Sequence, residues 1–259
     1  MAMKSEQWVF LTLVQRELRN RFIGSATGWL WLILTPLMML AVYAFVFSVI
    51  FRARVPEGLG VPFWSWLAIA LWPWLAFSES IQRSLGAIRS NAALLTKVSI
   101  DRRLFVTSSV SSTFLLHVVG YLIVLLAIQC FGARLDWLSL PYVLALLLSL
   151  YLFALGLSFI CASSQVFIRD IEQFVPTFLM LWFFLTPIIY ASEMIPQLMR
   201  DWLWVNPMTV WMESFREALF IGKRLPDLAL LMLFLGAGSV YLLGRVIFDR
   251  LAPSFEDFL

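Results

Sequence analysis

The chain has 259 residues, 61% of them hydrophobic and 14% charged, with a formal net charge of +3 and a mean hydropathy of +0.87. Soluble domains are nearer half apolar and a quarter charged, so this composition excludes a protein that hides its surface only from water, and the small net charge speaks against a nucleic-acid partner. The length suits one membrane domain with short loops and leaves no room for a separate catalytic domain.

The first predicted element, residues 5–22, is helical in pattern but not a span. Trp8, Leu11, Leu18 and Phe22 share one face, and Thr12, Arg16, Arg19 and Asn20 share the other, as expected for a helix lying in the membrane surface. No small-residue cleavage site follows the first long apolar run, so no cleavable signal is expected. Crossing a bilayer takes about 20 apolar residues. The charge-free stretches Gly28–Phe51, Gly58–Ser78, Leu104–Ala133, Trp137–Ile168, Gln173–Ser192 and Leu228–Gly244 meet or approach that length. They place predicted spans at 28–51, 62–86, 104–131, 139–165, 171–191 and 228–248. Helix is the open-chain structure that satisfies its own backbone in lipid, so the predicted class is an all-α integral membrane protein with six transmembrane helices. Residues 193–220, between the last two spans, carry Trp202, Trp204, Trp211 and Phe215 among scattered charges. This suits short re-entrant helices dipping into the outer leaflet. With the N-terminus inside, 12 Lys and Arg fall on the inner side and 7 on the outer side, which favours both termini in the cytoplasm.

Several chemistries are missing from the pattern. The only Gly-Lys pair, Gly222-Lys223, continues with Arg224 and lacks the upstream glycine of a phosphate loop. No catalytic residues and no metal site are expected. Cys130 and Cys161 both sit in apolar runs and read as small packing residues. The single histidine, His117, lies near the middle of the third span with no ionisable partner in sequence; it is either a hydrogen-bonded packing residue or a functional one. Glu79 and Arg83, four apart at the inner end of the second span, suit an ion pair at headgroup level or part of a cytoplasmic gate.

Aromatic residues make up 16% of the chain. Interfacial belts account for some, such as Trp31 and Trp64. At 100° per residue, Trp29, Pro36, Tyr43 and Phe47 line one face of the first span, Trp66, Pro73 and Phe77 one face of the second with Trp74 at its margin, and Phe178 and Trp182 lie close on the fifth. Such stripes either pack the interior or form a wall on which the apolar face of a sugar ring can stack while Tyr and Trp donors meet its hydroxyls.

The segment Phe167-Ile168-Arg169-Asp170, followed by Thr186-Pro187-Ile188-Ile189-Tyr190, Ile195-Pro196 and Asn206-Pro207-Met208, resembles the ABC-2 exporter permeases, and among them the O-antigen and teichoic-acid polysaccharide permeases. The run Arg16-Glu17-Leu18-Arg19-Asn20-Arg21-Phe22, then Gly28-Trp29-Leu30-Trp31 and Thr35-Pro36-Leu37, is similar to the opening of the same family. The resemblance implies a permease that exports a lipid-linked polysaccharide as a pair of identical chains. Each copy would bind a separate cytoplasmic ATPase, which carries the ATP and Mg; this chain would hold no cofactor. It implies a cytoplasmic gate in residues 5–22, to which Arg16, Arg19, Arg21, Glu79 and Arg83 would belong, the arginines also being the nearest cations to the headgroup of a polyprenyl carrier. It implies ATPase coupling at Asn91, Lys97, Asp101, Arg102, Arg169 and Asp170, although Ser99-Ile100-Asp101-Arg102 stands where the family commonly has a Phe-Pro-Arg turn. It implies a periplasmic gate at Pro187, Tyr190, Pro196, Asn206 and Pro207. The implied location is the bacterial inner membrane, with surrounding lipid as a further partner. An ABC-2 exporter of a teichoic-acid or capsular precursor, a drug or a small lipid is the alternative.

Overall fold

The structure, a computed structural model, describes residues 2–21, 28–53, 55–56, 58–95, 100–131 and 133–258. Among these residues there are ten α-helices and no strand. They are α1 Ala2–Asn20, α2 Gly28–Phe45, α3 Phe63–Leu85, α4 Ala92–Leu95, α5 Arg103–Phe131, α6 Leu140–Phe167, α7 Ile171–Leu185, α8 Gln197–Leu203, α9 Pro207–Ile221 and α10 Asp227–Leu251. Three are long and apolar enough to cross a membrane: α5, α6 with the 3-10 turn before it, and α10 with the 3-10 tail after it. The apolar helices Leu34–Ile50 and Ile171–Leu185 are shorter.

The protomer is organised around α3. From Trp66 to Ala76 every residue but Leu75 is buried, because α2, α5, α6, α7 and α9 all pack on this helix. Its polar residues are small or paired: Ser80 and Ser84 return their hydroxyls to carbonyls of their own helix at 2.6 and 2.7 Å. Two contacts fix α5 against it. Tyr121 donates its hydroxyl to Ile69 O at 3.1 Å, and Trp72 donates its indole N–H to His117 O at 3.0 Å. Gly120 makes the second possible, since a Cβ there would meet Trp72 Cζ2 at 2.8 Å. The closest helix pair is α6 with α10. They meet at Gly156 and Gly244, and a Cβ on Gly156 would lie 2.6 Å from the backbone of Val240 and Tyr241. Small residues let two backbones approach in this way.

Helix ends follow local chemistry. Helix α7 stops at Leu185, short of residue 191 where the apolar run led the span to be placed. Thr186 is extended, at φ −104° and ψ 137°, the conformation that a following proline favours. Helix α9 starts with Asn206, whose side chain accepts from Met208 N at 3.1 Å, and with Pro207 in its first turn. It ends at Gly222, whose positive φ of 66° closes the last turn. Helix α2 runs into a π-turn, Val46–Ile50.

Helix α1 packs on α5. Leu13 is its buried contact, with Val9 beside it, while Trp8 and Leu11 stay 69% and 63% exposed. The apolar face foreseen at Trp8 and Leu11 therefore turns away from the protein; Phe22 lies outside the described residues. Cys130 is exposed on α5, not a packing residue, while Cys161 is half-buried.

Candidate functional site

A cavity of about 750 Å³ opens between α2, α3, α5 and α7. Trp31, Tyr43, Trp72, Trp74, Phe183 and Phe184 form much of its wall, and Arg21, Ser78, Glu79, Gln82, Arg83 and His117 gather where α3 nears Leu85. The wall is a continuous aromatic file. Tyr43 stacks on Phe183 with ring centroids 5.6 Å apart, Phe183 lies 5.8 Å from Trp74, and Trp74 lies 6.1 Å from Trp182. Behind that face, Phe77 stacks on Phe153 at 5.7 Å and meets Trp182 edge-on at 5.5 Å.

The polar end is organised by Glu79. Its carboxylate accepts from Arg21 at the end of α1, from Arg83 one turn later at 2.8 Å, and lies 2.7 Å from His117 Nε2 on α5. Three elements distant in sequence thus meet on one carboxylate. The Arg21 side chain is only 6% exposed. Burial lowers its proton affinity and the Glu79 charge opposes that effect. Its Nη2 is taken by Glu79, while Nε and Nη1 are buried with no partner among the described residues. Arg16, one turn earlier, donates to Asn91 Oδ1 at 2.5 Å, and Arg19 is exposed.

The opposite end of α3 carries a second buried arginine. Arg216 on α9 is 3% exposed and its guanidinium lies 3.3 Å from the centroid of the Trp66 ring. It donates to Pro187 O and Ile188 O at 2.6 Å each, to Trp66 O at 3.3 Å, and to Glu213 at 3.2 Å. Burial pulls its pKa down to about 10, so it keeps its charge at neutral pH, and burial raises that of Glu213 against the opposing pull of Arg216. Asn206 completes this end. It accepts from Trp182 Nε1 at 2.9 Å and donates to Thr186 Oγ1 at 3.0 Å, which ties the start of α9 to the end of α7. Among the described residues no three of His, Cys, Asp and Glu come together as a metal site would need.

The ABC-2 type transporter family model matches residues 9–220, most of the chain. The chain belongs to the ABC-2 type transporter family. This ABC-2 chain is 35% identical to the O-antigen export system permease protein RfbA of Myxococcus xanthus, over 96% of the chain and 94% of that protein. It is 28% identical to the RfbA of Klebsiella pneumoniae, over 97% and 95%. It is 25% identical to the polysialic acid transport protein KpsM of Escherichia coli, over 81% and 80%. Membership in the family, together with the apolar helices, makes it a multi-pass membrane protein and a transport subunit.

The ABC-2 chain distributes the aromatic residues picked out by helical spacing among several settings. Tyr43 faces the cavity, while Trp66 and Phe77 are buried within the protomer. Trp182 is half-buried, Phe178 is 47% exposed beside Phe174, and Phe47 stacks on Phe51 at 5.4 Å. The Trp29 side chain and Lys97 lie outside the described residues. Arg169 and Asp170 sit in the exposed turn between α6 and α7. Asp101 caps the start of α5 by accepting from Arg103 N at 3.0 Å, and Arg102 binds Ala252 O and Glu256. Pro187 and Tyr190 lie in the turn after α7, the Tyr190 hydroxyl donating to Phe184 O at 3.1 Å; Pro196 is exposed before α8. Helical spacing missed Trp72 and Phe183 as wall residues, Arg216 as a buried tie, and the pairing of His117 with Glu79. The last two join residues 28 or more positions apart, and no local pattern marks them.

Proposed function

We propose that this chain is the permease of an ATP-driven exporter that moves a lipid-linked polysaccharide of O-antigen type across the bacterial inner membrane. Two copies would enclose the path, and each would engage one separate cytoplasmic ATPase that holds ATP and Mg. The chain would cross six times, through α2, α3, α5, α6, α7 and α10, with both termini in the cytoplasm and α8 and α9 re-entrant from the periplasmic side. Two observations support the substrate class: the names of the relatives and the cavity, which pairs aromatic walls with a charged inner end. Sugar rings stack on aromatic faces with little demand on register, so a wall can let a glycan slide. Arg21 carries the reading. Glu79 holds it through one nitrogen, and among the described residues Nε and Nη1 have no acceptor, so an oxyanion that reached them would be matched, as the diphosphate of a polyprenyl carrier would be. Arg16 and Arg19 lie on the same helix and would attract the headgroup.

Likeness to KpsM favours one second reading, a polysaccharide of the polysialic acid type as cargo. Reconstituting the permease with its cognate ATPase separates the readings. ATP turnover is expected to rise with a polyprenyl-diphosphate oligosaccharide, and that rise is expected to vanish with Arg21→Ala. Full transport by the permease alone, or no response to any lipid-linked saccharide, would overturn the proposal.

A further inference from the structure

The segment between α4 and α5 ends in two cations that already have partners within the chain. Arg102 binds the carbonyl of Ala252 and the carboxylate of Glu256. Arg103 binds Asp249 at 2.7 Å and Asp101 at 3.7 Å, and Asp249 also faces Arg245 at 3.9 Å. All of these acceptors but Asp101 lie on the last turns of α10 or on the 3-10 tail Ala252–Asp257 that follows it.

An exposed ion pair alone would mean little, because water and salt screen its charges. Here the tail is seated by more than charge. Phe255 is fully buried, 6.0 Å from Phe167 at the end of α6 and 5.4 Å from Phe248 on α10, and Phe258 packs edge-on to Phe167 at 4.8 Å. The same face of the molecule is tied elsewhere, since Arg89 donates to Val166 O at 3.1 Å and Arg16 to Asn91. The start of α5, the end of α6 and the end of α10 therefore meet on a six-residue tail.

We infer that the tail Ala252–Asp257 is the positioning element of the contact with the ATPase. Through Arg102 and Phe255 it holds the start of α5 on the ends of α6 and α10, so that a push on the 101–103 segment moves those helices together. Arg102 and Glu256 act here as positioning residues and leave the docking itself to other groups. This rests on the reading that a separate ATPase docks at that segment.

A charge-exchange cycle tests it, using the full-length permease co-purified with its cognate ATPase and the same pair in cells. Arg102→Glu and Glu256→Arg are each expected to lower surface polysaccharide about threefold, and the double exchange to restore it. ATP hydrolysis and co-purification should hold for Glu256→Arg, because the motor remains docked and only its stroke is misdirected. Phe255→Leu, which keeps most of the volume, should export normally, and Phe255→Ala should uncouple hydrolysis from export. Normal export by both single exchanges, or failure of the double exchange to recover, overturns the inference. Loss of the ATPase from Glu256→Arg overturns it as well, since that residue would then be part of the docking surface. Absence of ATP hydrolysis or of a bound ATPase in the unmodified complex would instead defeat the proposed function.

Discussion

Two arginines are almost wholly buried at opposite ends of α3, and they are built differently. The residues they meet on that helix, Trp66 and Glu79, are 13 positions apart, about 20 Å along the axis at 1.5 Å per residue. Arg216 spends its donors on three fixed carbonyls and a carboxylate and sits over an indole. Among the described residues Arg21 has one partner and two nitrogens without one, and it lines the cavity. A buried charged donor left unmatched costs about 1–3 kcal/mol or more. Arg16 and Arg200 each leave one such nitrogen, whereas Arg21 leaves two and lines a cavity from which a ligand could supply the acceptors. The contrast teaches that burial of a charge does not say what the charge is for; the tally of its partners does.

The contrast can be broken by stability measurements, taken from the largest expected effect downward. Arg216→Ala would strand the carbonyls of Trp66, Pro187 and Ile188 and leave Glu213 without its cation. A loss of about 3–5 kcal/mol is expected, read as a lower midpoint in thermal unfolding of the purified protein in detergent. Gly120→Ala would push a methyl into Trp72 and should cost about 1–3 kcal/mol in the same assay. Asn206→Ala removes the cap of α9 and should cost about 1 kcal/mol from that cap alone, with more if the bonds to Trp182 and Thr186 also count. Arg21→Ala stands at the end of this series. Its unfolding midpoint should stay near that of the unmodified protein, yet surface polysaccharide should fall about tenfold, the equivalent of one hydrogen bond to a charged group. If Arg21→Ala unfolds as readily as Arg216→Ala, the two arginines do the same job and the distinction is lost.

Much of the fold is legible in the sequence because membrane helices announce themselves by length and apolarity. The runs that produced α5, α6 and α10 need no partner to be recognised. The Asn206-Pro207 start of α9 is legible for a related reason, since capping is a local bond. The site is less so. Helical spacing groups Trp66, Pro73 and Phe77 on one stripe of α3, but that helix is surrounded, so position on a stripe does not decide what faces a cavity. Trp72 and Phe183 face it through packing with α5 and α2 that spacing within one helix cannot express. His117 looked solitary for the same reason, its carboxylate partner lying 38 residues away.

The contact of Gly156 with Gly244 has a mechanical consequence. With the two backbones touching at Gly156 and Gly244 and Phe159 packed on Phe248 at 5.3 Å, α6 and α10 have little freedom to slide past one another. They make a single rod some 28 residues long, about 40 Å at the helical rise. A push on one end of this pair would therefore be carried by both helices together.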